Sequence, residues 1–226
     1  VKDGLPDLLE KISAATQIPW IRILYAFPGY VTDHLIDVMA GNPRILPYLD
    51  MPLQHAHPET LKRMRRPANM DWVYSTLEKM RSRIPNLALR STFIVGYPGE
   101  TDEEFATLLN FLNDIQFDRV GAFTFSFEHG TGSEPLGDPI PAEVKQERYA
   151  ALMELQESIS LRRNQSFIGK QLDVLIEGSN DGISVGRSYR DAPEIDGMVF
   201  VENKAPVGSI VPVIIGGALP YDLTGA

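Results

Sequence analysis

The sequence predicts an α/β protein: the C-terminal part of a partial β/α barrel, about four βα units, followed by a small antiparallel β-barrel. Two observations predict it. Up to about residue 161, runs rich in β-branched and aromatic residues alternate with segments of helical period, which implies parallel strands joined by helices. Beyond that point the period shortens to alternating runs cut by glycines, the pattern of a small closed sheet. The predicted division is 1–165 and 166–226.

The elements follow in order. "VKDGLPDLLEKI" is helical almost from Val1, as a piece cut from a longer protein would be. "WIRILYAFP" (20–28) reads as a strand and "TDHLIDVMAG" (32–41) as a helix stopped by glycine. "YLDMPLQ" (48–54) is a second strand, and "PETLKRMRR" (58–66) a helix with Pro58 in its first turn. "DWVYSTLEKMRSRI" (71–84) is helical with Asp71 as its cap. The third strand, Arg90 to Val95, runs into Gly96, Pro98 and Gly99, and Thr101 to Glu104 then reads as a capping box for helix 101–115. "RVGAFTFS" (119–126) is the fourth strand, and residues 141–169 form one long amphipathic helix ended by Gly169. "KQLDVLIEG", "GISVGRSY", "GMVFVE" and "GSIVPVIIGG" supply the strands of the terminal barrel.

Bulk composition narrows the function. A hydrophobic share of 43% over 226 residues supports a core without staples, and zero cysteines exclude disulfides, thiolate metal sites and cysteine nucleophiles. The net charge of −9 argues against broad nucleic-acid binding and leaves room for a basic protein partner. No apolar run approaches the roughly 20 residues of a membrane span, and the absence of cysteine fits the expected cytoplasmic location.

Four segments carry polar chemistry. The turn from Gly96 to Glu104 lets backbone approach a ligand, although acidic residues there also complement the helix dipole. Its acidity argues against phosphate, and no lysine follows to make a P-loop. "PLQHAHP" ends the second strand with Gln54, His55 and His57, better suited to a polar rim than to a metal pair. Lys62, Arg63, Arg65 and Arg66 form a basic cluster that suits a helix C-terminus whatever the function. Arg90 opens the third strand among apolar residues and needs an acceptor: a ligand carboxylate or a neighbouring aspartate.

Taken together, "WIRILYAFP", "YLDMPLQHAHPETLKRMRRP", "RSTFIVGYPGETDEEF", "FDRVGAFTFSFEHGT", "GRSYRDAPEIDGMVFV" and "YDLTG" resemble the radical S-adenosylmethionine methylthiotransferases, in order and over essentially the whole chain. "DAPEIDG" favours the branch that modifies an aspartate of the twelfth small-subunit ribosomal protein over the tRNA-modifying branch. The resemblance implies a partial radical-SAM (β/α)6 barrel followed by a TRAM-like, OB-like domain. It implies S-adenosylmethionine and two 4Fe–4S clusters as cofactors, with every cluster cysteine outside this chain, so the chain alone is expected to be inactive. It assigns no catalytic and no metal residue here. By motif position, Gln54 would lie near the ribose with His55 beside it, and Arg90 by the methionyl carboxylate. Thr92, Gly96, Pro98, Gly99 and Glu100 would border the adenosyl group, and Phe125 and Ser126 would flank the adenine. Asp191, Glu194 and Asp196 would meet the substrate.

Charge supports the same branch. From residue 167 onward, Lys170, Arg187, Arg190 and Lys204 stand against Asp173, Glu177, Asp181, Asp191, Glu194, Asp196, Glu202 and Asp222. An acidic domain grips RNA poorly and suits a basic ribosomal protein. A monomer without RNA or membrane partners is expected. A tRNA methylthiotransferase and a non-catalytic docking module are the alternative readings.

Overall fold

The computed structural model describes residues 3–226. The chain divides into two compact units, Val1–Gln156 and Glu157–Ala226. The first contains α1 (Gly4–Ala15), β1 (Ile21–Ile23), α2 (Asp33–Gly41), β2 (Ile45–Asp50), α3 (Pro58–Arg63), α4 (Met70–Arg83), β3 (Ala88–Val95), α5 (Asp102–Ile115), β4 (Arg119–Thr124) and the first part of α6 (Ala142–Gln165). The helix expected from Val1 begins at Gly4, and its first two residues lie outside those described.

The four strands pair in parallel in the order β1-β2-β3-β4, as successive βα units dictate. β3 shows what each face of the sheet does. Ser91, Phe93 and Val95 are fully buried, while Thr92 and Ile94, pointing the other way, are only half-buried. On the buried face Phe93, Phe111 of α5 and Phe117 form a tilted and edge-on aromatic cluster, with centroids 5.7 to 6.3 Å apart. The other face is left for a site.

Local differences from the sequence reading have physical causes. β1 ends at Ile23, because Tyr25 turns left-handed (φ 58) and Pro28–Tyr30 forms a short 3₁₀ turn. β2 starts and ends earlier than 48–54. Pro52 has no amide to give a ladder, and Gln54 adopts φ 72. The cap of α4 is Asn69, whose side chain accepts the Trp72 amide; Asp71 sits inside the first turn. The capping box of α5 forms as read, with Thr101 and Glu104 bonding each other's backbone amides.

α6 buries Lys145, Arg148, Leu152, Gln156, Ile159, Ser160 and Asn164 at helical spacing. Five of those seven side chains are polar, so this helix is held largely by hydrogen bonds rather than by an apolar stripe. Gln156 donates to the Phe117 carbonyl, closing the aromatic cluster.

In the second unit β5 (Gln171–Asn180), β6 (Ile183–Ser188), β7 (Val199–Val201), β8 (Ile210–Ala218) and β9 (Leu223–Gly225) close as β5-β6-β7-β9-β8 around Val174, Ile176, Val199, Val213 and Leu223. β9 lies in "YDLTG", too short to announce itself by alternation. Its parallel pairing with β7 is what completes closure.

Candidate ligand site

A cavity of about 780 Å³ opens on the first unit, well within the usual size of a small-molecule site. Gln54 enters it from beyond β2, Thr92 and Ile94 from the open face of β3, and Phe123 to Ser126 from the end of β4. Tyr97, the end of α3 and Thr131 to Ser133 complete the wall. The site therefore lies at the carboxyl ends of parallel strands, where α/β sheets place ligands.

Gln54 is fixed by backbone. Its amide donates to the Thr92 carbonyl at 2.9 Å, and its carbonyl accepts the Ile94 amide at 2.9 Å, an isolated bridge to β3. Phe125 stacks edge-on against Tyr97 at 5.1 Å, and Lys145 Nζ donates to the Phe125 carbonyl at 3.1 Å and to Asp138. Burial pushes the Tyr97 hydroxyl's pKa up despite the nearby charges of Arg63 and Arg65, and that hydroxyl donates to the Arg63 carbonyl.

Of the ten residues expected at the cofactor, Gln54, Thr92, Phe125 and Ser126 line the cavity. The other six do not. Arg90 donates to Asp50 at 3.0 Å and to Thr92 Oγ1 at 3.3 Å, so of the two acceptors considered it takes the neighbouring aspartate and orients Thr92. Gly96, Pro98, Gly99, Glu100 and His55 form a braced turn behind the wall. Glu100 accepts the Gly96 amide at 3.0 Å and Arg148 at 2.8 Å, and His55 Nε2 stands 3.4 Å from it. Gly96 (φ 72) is glycine of necessity, since a Cβ would run into the Lys145 side chain.

His55 Nδ1 accepts the His57 amide, and His57 Nδ1 accepts the Glu59 amide, so one nitrogen of each ring is committed to the backbone. Arg63 reaches Glu104 through both terminal guanidinium nitrogens, Nη1 and Nη2, at 3.1 and 2.5 Å. Burial works to raise the pKa of Glu104, but hydrogen bonds from Arg63 and the Thr101 amide, with the Arg63 charge, hold it below the ordinary glutamate value.

In the second unit Asp191 is buried, and its carboxylate accepts the Ser188 amide and hydroxyl, so it braces its turn rather than facing a partner. Asp196 accepts the Ala192 amide at 2.9 Å; Glu194, at φ 67, is exposed. Sequence reasoning missed Tyr97, Phe123, Lys145 and Arg148. The signal for the last two was two basic residues at i, i+3 in a helix long enough to bury them.

Residues 2–112 match the Radical SAM superfamily, and residues 168–226 match the TRAM domain. The coproporphyrinogen III oxidase HemN of Escherichia coli, a radical SAM enzyme, superposes with a TM-score of 0.55 over 69% of this chain and 38% of its own, at 18% identity, which speaks to the fold alone. Fold and matches together define a radical-SAM barrel segment carrying a TRAM domain. Over its whole length the chain is 50% identical to the ribosomal protein uS12 methylthiotransferase RimO of Chloroflexus aurantiacus and 48% identical to that of Roseiflexus castenholzii, covering 51% and 48% of them. Along its whole length the chain is thus similar to the RimO methylthiotransferases, with a Radical SAM match followed by a TRAM match, and it spans about half the length of the curated relatives it matches.

That family implies S-adenosylmethionine and a 4Fe–4S cluster. The cavity fits the nucleoside: aromatic Tyr97 and Phe125, amide-bearing Gln54 and hydroxyls of Thr92 and Ser126 converge on it. The cluster does not fit, because none of the 226 residues offers a thiolate.

Proposed function

We propose that this chain is the nucleoside-binding and substrate-facing part of a RimO-type methylthiotransferase acting on an aspartate of ribosomal protein uS12. The observation that carries the reading is similarity to RimO across both domains at about half identity. The cavity would hold S-adenosylmethionine, with Gln54 and Thr92 toward the ribose and Tyr97 and Phe125 walling the adenine. When bound, that cofactor would supply the radical chemistry that opens a C–H bond. The residues present here position and desolvate: Lys145 fixes the Phe125 carbonyl, Arg90 orients Thr92, and the aromatic wall excludes water. A second 4Fe–4S cluster, also outside the chain, belongs to the same reading. The acidic barrel, with Glu194 exposed on the "DAPEIDG" turn, would meet basic uS12.

The test is binding of the chain to purified uS12 and to a tRNA anticodon stem-loop at two salt concentrations. Preferential, salt-weakened binding to uS12 is expected. Preferential binding to the stem-loop would move the chain to the tRNA-modifying branch.

A further inference from the structure

We propose that Arg65 and Arg66 form a carboxylate-binding rim on the cavity and that they take the side-chain carboxylate of the substrate aspartate, an inference that rests on the RimO-type reading above. Three arginines and one acid, Glu128, line the cavity of a chain whose net charge is −9, so the local sign opposes the global one. Arg63 is already committed to Glu104. The side chains of Arg65 and Arg66 are exposed and make no hydrogen bond or ion pair among the described residues.

Arg65 is also held in an uncommon backbone state, φ 54, just past the end of α3. That state lays its guanidinium against Gly132 across the cavity mouth, where a Cβ on Gly132 would stand 3.2 Å from Nη1. A planar guanidinium fork matches a carboxylate, and here two such forks edge an apolar cavity without an acceptor of their own.

The cofactor also carries a carboxylate, and depth distinguishes the two sources. On the floor Gln54, Thr92 and Ile94 are half-buried and Phe125 is buried, whereas Arg65 and Arg66 stand at the exposed rim together with Phe123 and Ser126. A side chain presented by a protein partner arrives at the exposed edge. Arg90, the arginine nearer the floor, faces Asp50.

The experiment titrates the 226-residue chain with three probes: a peptide copying the modified loop of uS12 with Asp or Asn at the target position, S-adenosylhomocysteine, and N-acetylaspartate. Isothermal titration gives affinities, and amide shifts of Thr131 and Gly132 locate the binding. The Asp peptide is expected to bind about tenfold tighter than the Asn peptide, a difference of about 1.4 kcal/mol. The double variant Arg65→Gln, Arg66→Gln should remove that preference and leave S-adenosylhomocysteine affinity within about twofold, with an unchanged melting temperature as the check on folding. If the variant instead loses S-adenosylhomocysteine and keeps the peptide preference, the arginines serve the cofactor and the proposal is overturned. It is equally overturned if wild type binds both peptides alike, a result that leaves the RimO-type reading standing. Arginine-dependent binding of N-acetylaspartate with no binding of either peptide would support the carboxylate site while sinking the uS12 reading.

Discussion

At the scale of single residues, Gln54 shows how the site is made. A non-glycine residue at φ 72 costs about 1–2 kcal/mol, and here two backbone hydrogen bonds to β3 hold it there. The strain puts the side chain, rather than the backbone, at the cavity edge. Gln54→Gly should therefore leave the unfolding free energy from urea titration within about 1 kcal/mol of wild type, because relief of strain offsets the extra entropy of the unfolded chain. Both Gln54→Gly and Gln54→Ala should weaken S-adenosylhomocysteine binding roughly tenfold by removing one half-buried polar partner. Equal affinity in either variant would take Gln54 out of the site. The sequence made Gln54 visible as a polar residue ending a strand, but φ is not written in residue type. Nor is side-chain direction around a tight turn: Glu100 and His55 turned inward to brace it, while Tyr97 of the same turn faces the cavity.

Elements were legible where local chemistry decides them, as at α5 with its capping box and at β3 with its alternation. They were less legible where tertiary contacts decide, as in α6, whose buried stripe carries Lys145 and Arg148. Two expectations belong at this scale. The bond from α3 to the start of α5 runs through Arg63 and Glu104, whose folded pKa lies below the ordinary glutamate value. Its contribution is thus fully present above about pH 4.3 and is lost as pH falls through the lower folded value. Glu104→Gln should destabilise the first unit by about 1–3 kcal/mol at pH 7 and flatten the acid dependence of its urea midpoint. An unchanged acid limb in the variant would show that another carboxylate governs it.

In the second unit Gly197 approaches the Tyr221 carbonyl so closely that no Cβ fits, and this crossing sets β7 beside β9. Gly197→Ala should cost about 3 kcal/mol or more, read as loss of amide-exchange protection in β7 and β9. Normal protection there would mean that the crossing gives way easily.

At the scale of the whole molecule, the proposed function divides between a cavity that these residues line and a cluster that they cannot ligate through sulfur. The cavity's floor, wall and arginine rim come entirely from this chain, yet all 226 residues lack cysteine. A 4Fe–4S cluster takes thiolates as its ordinary ligands, and of the four histidines His55 and His57 each already have Nδ1 bonded to a backbone amide. Anaerobic incubation of the purified chain with iron and sulfide should therefore leave no protein-bound visible absorption after desalting. The same sample should bind S-adenosylhomocysteine with unaltered affinity. Retained iron and sulfide in stoichiometric amounts would mean that the chain ligates a cluster without thiolates, and it would overturn the assignment of catalysis to residues beyond these. Absence of nucleoside binding both before and after incubation, with the cavity still folded by amide exchange, would instead mean that this chain gives the site its shape and that most of the affinity comes from elsewhere.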